Sequence, residues 1–84
     1  MGFTVRLRVA GTLIDVARVL RVLKRHRSER PSLTTDLEGN RTVAVLVATV
    51  GGTKRINRLL EALARIPTVL DTVILGQHAV PLNQ

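Results

Sequence analysis

The chain has no cysteine, tryptophan or tyrosine, and only one phenylalanine, two histidines and three prolines. Without cysteine it can form neither a disulfide nor a thiolate metal site. A cytosolic protein fits that usage, so cytoplasmic localisation is the expectation. His26 and His78 stand far apart with no carboxylate cluster beside them, which gives no close ligand pair for a metal. The six acidic residues are scattered, and none forms a pair spaced for acid–base work. The expectation is therefore a protein that is not an enzyme and uses no cofactor. The opening GFTVRLRVAG places arginines inside its apolar run, unlike the core of a signal peptide. No apolar run approaches a membrane span, so no membrane partner is expected.

What is present is positive charge. Thirteen Lys and Arg against six Asp and Glu give +7 on 84 residues, with 45% of residues apolar. This is one domain near the small end for a chain that builds its own core, and a homodimer would relieve the shortage. The basic balance points to a nucleic acid or an acidic partner. It equally fits solvated arginine-rich faces, because the cations are spread along the whole chain.

The run Thr12 to Arg27, TLIDVARVLRVLKRHR, reads as one amphipathic helix. Leu13, Val16, Ala17, Leu20 and Leu23 recur at the spacing of a core-facing stripe, widened by Val19 and Val22. Arg18, Arg21 and Arg25 form a basic edge on another side. Thr12 suits the N-cap, and Asp15 suits the positive first turn.

In front of that helix, residues 3–9 alternate as FTVRLRV, a half-buried strand, and Gly11 breaks it. Beyond it, Pro31 sets the earliest start of the next strand, which reads as Ser32 to Leu37 and suits a sheet edge. Arg41 to Val50 is the most strongly β segment. It is apolar on both faces, which predicts a central strand covered on both sides. Thr53 is the expected cap of a second helix reaching about Arg65, with Ile56, Leu59, Leu60 and Leu63 inward. Val69 to Leu75 closes the pattern. The domain is expected to span residues 1–76, with a flexible tail over residues 77–84. The order β-α-β-β-α-β predicts an α+β, ferredoxin-like sandwich, a four-stranded antiparallel sheet with two helices on one face.

Three sites merit weighing. Domains of this architecture that bind single-stranded RNA stack bases on sheet aromatics, and here Phe3 stands alone, so nucleic acid is a secondary expectation carried by charge only. The basic edge Arg18, Arg21 and Arg25 is either a partner-docking surface or a solvated helix side. At the first strand–helix turn, Gly11 lets a ligand approach the backbone, and Thr12 offers a hydroxyl beside free helix N–H groups. A tight turn also favours glycine, and a helix a threonine cap, with no ligand at all.

Over residues 3–75 the chain resembles the ACT domain family, and within it the short small subunits of acetolactate synthase (acetohydroxyacid synthase). The resemblance rests on Gly11-Thr12-Leu13 at the turn, on the run Ala17 to Arg27, on Val43 to Thr49, and on Leu63 to Asp71. It implies a non-catalytic regulatory subunit in branched-chain amino-acid biosynthesis. Such a subunit binds and activates a thiamine-diphosphate-dependent catalytic subunit. It further implies a homodimer and a small amino-acid effector at Gly11, Thr12 and Leu13. Where the family commonly has Asp-x-Pro-Gly, this chain has Arg8-Val9-Ala10-Gly11, which puts a cation where an acid would hold an ammonium. A nucleic-acid-binding domain and a ligand-free structural dimerisation module remain the alternatives.

Overall fold

The structure, a computed structural model, describes residues 2–78. Its elements are β1 (Gly2–Val9), α1 (Leu13–Arg25), β2 (Glu29–Glu38), β3 (Arg41–Gly51), α2 (Thr53–Ala64) and β4 (Val69–His78). The strands form one antiparallel sheet in the order β2-β3-β1-β4. This is the ferredoxin-like arrangement, with β1 and β3 central and β2 at an edge.

The alternation of β1 sets the layers. Phe3, Val5, Leu7 and Val9 lie opposite Val50, Ala48, Leu46 and Ala44 of β3, and all eight are buried. Against them pack Val16, Val19 and Leu23 of α1, and Ile56, Leu59 and Leu63 of α2. Leu20, Val22 and Leu60 close the margins of that core.

The helical stripe is rotated from the expected one. Val19 is fully buried, whereas Leu13 is 83% exposed and Ala17 is exposed. Val16, Val19 and Leu23 also keep a 3–4 spacing, so the pattern fitted two overlapping stripes. The β-branched pair, Val16 and Val19, took the core.

The helix ends at Arg25, two residues short of Arg27. Arg27 N–H donates to Lys24 O, and Ser28 N–H to Leu23 O, both at 3.0 Å, the paired bonds of a Schellman turn. Arg27 occupies its left-handed position at φ +57°, where glycine is usual. A side chain held there costs roughly 1–2 kcal/mol.

Three other boundaries differ from expectation. β2 starts at Glu29, before Pro31: Glu29 pairs with Thr49, the ladder is interrupted, and pairing resumes at Ser32 opposite Val47. Pro31 falls in that gap on an edge strand, where its missing N–H costs no ladder bond. α2 is capped by Gly52 at φ +92°, so Thr53 is its first helical residue instead of its cap. β4 runs through His78, past the expected strand end at Leu75 and domain boundary at residue 76. The remainder of the expected tail, residues 79–84, lies outside the described residues.

Leu7 and Leu13 separate the two readings of the core. Leu7→Ala should lower the unfolding free energy by about 2–5 kcal/mol. Leu13→Ala should change it by less than about 0.5 kcal/mol. Denaturant titration of both variants checks this.

Candidate functional site

The first strand–helix turn is built around a carboxylate from its own helix. Asp15 Oδ2 accepts from the Thr12 backbone N–H at 2.8 Å and from the Thr12 hydroxyl at 3.2 Å. Gly11 has φ +109°, and a Cβ there would stand 2.3 Å from that same oxygen. The glycine is thus required by the approach of Asp15, and the T-x-x-D spacing is a capping signature. Leu13, beside it, is exposed with Ile14. The turn brings Gly11, Thr12 and Leu13 together as expected, with Asp15 already holding the amide and hydroxyl that an effector carboxylate would use.

The arginine that departs from the family pattern, Arg8, points away from this turn. Its opposite neighbours are Val45 on β3 and Asp71 on β4, so it lies on the sheet face remote from the helices. Arg8 Nε donates to Asp71 Oδ2 at 2.8 Å, and Nη2 lies 2.6 Å from the same oxygen. Nη1 donates to Glu38 Oε1 at 2.5 Å. β3 lies between β1 and β2, so the Arg8–Glu38 bond crosses over it. Arg8 is opposite Val45 and Glu38 opposite Arg41, which puts the crossing near Val43. Val43 is fully buried although it belongs to the open face. Val45 and Val47, farther along, are only half-buried. Both faces of β3 are apolar as expected, but within this chain an arginine strap covers just one end of the second face.

The strap perturbs both partners. Donating hydrogen bonds to Asp71 and then to Glu38 raises the Arg8 pKa further above its ordinary value. The hydrogen bond from Arg8 holds the Asp71 carboxyl below the usual carboxylate range, against an opposing push from desolvation. Asp71 Oδ1 and Arg6 Nε are buried without hydrogen-bond partners, and the positive charge of Arg6 also favours the Asp71 anion.

The expected docking residues Arg18, Arg21 and Arg25 are all exposed on α1. Arg25 is drawn into a different neighbourhood from the other two. With His26 and Arg27 it lines a cavity of about 330 Å³ whose other wall is Arg55 and Arg58 of α2. That grouping depends on the end of α1 meeting the start of α2, which spacing within one helix does not reveal. A second cavity of about 340 Å³ lies between α2 and β4, lined by residues that include Leu60, Leu63, Val69 and Leu70.

Charge is segregated between the layers, a feature that the even spread of cations along the chain conceals. Residues 12–27 and 53–65 hold nine Lys and Arg against Asp15 and Glu61. The rest of the chain balances four Arg against four acids, so the helical layer carries the whole net charge of +7.

No protein-family model matches this chain, and no curated protein does. Solved structures share its fold. The ACT domain of GTP pyrophosphokinase from Chlorobium tepidum is 12% identical, with a TM-score of 0.64 over 89% of this chain and 97% of that one. The C-terminal domain of the MgtC protein from Mycobacterium tuberculosis is 19% identical, with a TM-score of 0.62 over 94% and 90%. LarC2, the C-terminal domain of a cyclometallase involved in synthesis of the NPN cofactor of lactate racemase, is 12% identical with a TM-score of 0.70. That match covers 87% of this chain and 51% of LarC2. The fold is thus that of ACT domains, shared with domains of other roles.

The depressed Asp71 pKa makes stability pH-dependent in a defined direction. Its contribution is whole above the unfolded-state value, about 3.9, and disappears as pH falls through the lower folded value. In wild type, denaturant midpoints should therefore fall as pH drops below about 4. Asp71→Asn should be less stable at neutral pH and lose less on acidification. Equal slopes in the two proteins would contradict the assignment.

Proposed function

We propose that this chain is a non-catalytic regulatory module of the ACT type that acts by protein contact. In this reading it is a subunit that binds and activates an acetolactate synthase catalytic subunit in branched-chain amino-acid biosynthesis. The observation that carries the contact role is the helical layer's unbalanced charge. Arg18, Arg21 and Arg25 stand exposed there, and the two ion pairs found among the described residues both belong to Arg8. An acidic patch on a partner would be steered to that layer, gaining association rate and selectivity. The choice of partner rests on the likeness of residues 17–27 to the small subunits. The absence of catalysis is supported by the fate of the carboxylates that do converge: Asp71 and Glu38 are both committed to Arg8.

A homodimer belongs to the same proposal. Val73, Ile74 and Leu75 are exposed on the edge strand β4, and Val45 and Val47 are half-buried on the open face. A second copy would remove this apolar surface from water. The Asp15 contacts at the first turn favour a version without an amino-acid effector, the ligand-free contact module.

Reconstitution with the acetolactate synthase catalytic subunit of the same organism tests the reading. Addition of the chain should raise acetolactate formation, and Arg18→Glu/Arg21→Glu should weaken that activation with most of the loss in association rate. No activation by a folded dimeric preparation would remove the proposed partner. Valine, leucine or isoleucine should leave the melting temperature unchanged; a saturable rise would restore the effector.

A further inference from the structure

We infer that the cavity between the end of α1 and the start of α2 is a binding site for a diphosphate group, free or carried on an ester. Its walls are Arg25, His26 and Arg27 on one side and Arg55 and Arg58 on the other, with no carboxylate among them. At about 330 Å³ it lies near the lower end of the range for small-molecule sites, roughly 300–1,000 Å³. Four arginines line it, and each guanidinium is a planar fork that matches two oxygens of a phosphate. A single carboxylate offers two oxygens to the four forks, whereas inorganic diphosphate offers six terminal oxygens to share among them.

Two features of the surroundings accompany the four arginines. The first is backbone strain. Arg27 is held at φ +57° in a turn position that glycine occupies without strain, and its side chain borders the cavity. Backbone strain of this kind clusters at functional sites, and Arg30, outside the cavity, is the other non-glycine residue with it among the described residues, at φ +52°. The second is the start of α2. It is capped by Gly52 with no side-chain hydrogen bond, and its first turn contains no acid. Lys54 and Arg55 instead add positive charge beside the positive end of the helix dipole. An anion in the cavity offsets the repulsion between Arg55 and the helix dipole and that among the four arginines.

A nucleic-acid backbone is the less suitable occupant. It would run along an extended basic stripe and gain from stacking on aromatics. Here the arginines line a concavity, and Phe3, the one aromatic residue, is buried in the core. The inference stands apart from the proposed function, since it involves neither the catalytic subunit nor the Gly11 turn.

Calorimetric titration with inorganic pyrophosphate, at ionic strength held constant with sodium chloride, tests it. Wild type should bind saturably with a stoichiometry of one per chain. Arg55→Gln and Arg58→Gln should each weaken binding about tenfold or more, as loss of a charge-assisted contact implies. Arg18→Gln/Arg21→Gln should bind as wild type does. Arg27→Gly supplies a readout that bulk charge does not: it should raise the melting temperature of the free protein while weakening pyrophosphate binding. ADP in the same titration distinguishes the source, since tighter binding than pyrophosphate marks a nucleotide and equal binding marks the phosphates alone. Equal affinity in all variants, or no heat beyond that of chloride, would overturn the site. So would tighter binding of a single-stranded oligonucleotide that depends on Arg18 and Arg21 as strongly as on Arg55 and Arg58.

Discussion

Strand β1 has to bury Phe3, Val5, Leu7 and Val9 beneath two helices while leaving Arg6 and Arg8 on the opposite face of the same central strand. Guanidinium groups in the middle of a sheet, with valines of β3 and β4 beside them, are only tolerable if carboxylates come to meet them. Asp71 arrives from β4 and Glu38 from β2, so one arginine joins both edge strands across the centre. The apolar face of β1 determines where the helices sit, and its polar face determines how the open side is organised. Each follows from a side-chain period of two.

This arrangement divides the molecule electrostatically. The sheet and its loops are neutral overall, with their principal acids engaged by Arg8, while the helical layer holds all of the excess positive charge. Any anionic partner is therefore directed to the helices, and the open sheet face is left to apolar contact through Val45, Val47 and Val73. Protein contact and anion binding can occupy the same layer without competing for every residue. Arg18 and Arg21 lie outside the cavity, and Arg25 is common to both regions.

The element order and the sheet topology were legible because β1, β3 and α2 carry unambiguous periodicities. The inward residues of α2, Ile56, Leu59, Leu60 and Leu63, came out as expected. The stripe of α1 was harder to place, because the eight apolar residues from Leu13 to Leu23 fit two overlapping stripes, and only packing chooses between them. Glu29 and Pro31 misled for a different reason. An edge strand with an interrupted ladder accepts a proline that a central strand rejects. At the first turn the glycine and the threonine cap were legible, and the role of Asp15 was present in the T-x-x-D spacing. Neither Arg8 with its carboxylates nor the cavity of Arg25, Arg27, Arg55 and Arg58 was legible. Arg8 lies 30 and 63 positions from its carboxylates, and the two walls of the cavity are at least 28 positions apart, so register and helix docking alone bring them together.

The organisation of the open face depends most on Arg8 acting as one strap rather than as two incidental surface pairs, which are often worth little. Double-mutant cycles by denaturant unfolding, pairing Arg8→Ala with Asp71→Ala and with Glu38→Ala, measure this directly. Each double variant should be less destabilised than the sum of its single variants, and coupling should appear in both cycles. Additivity in both cycles would show that the pairs are incidental and that the open face is held by strand pairing alone.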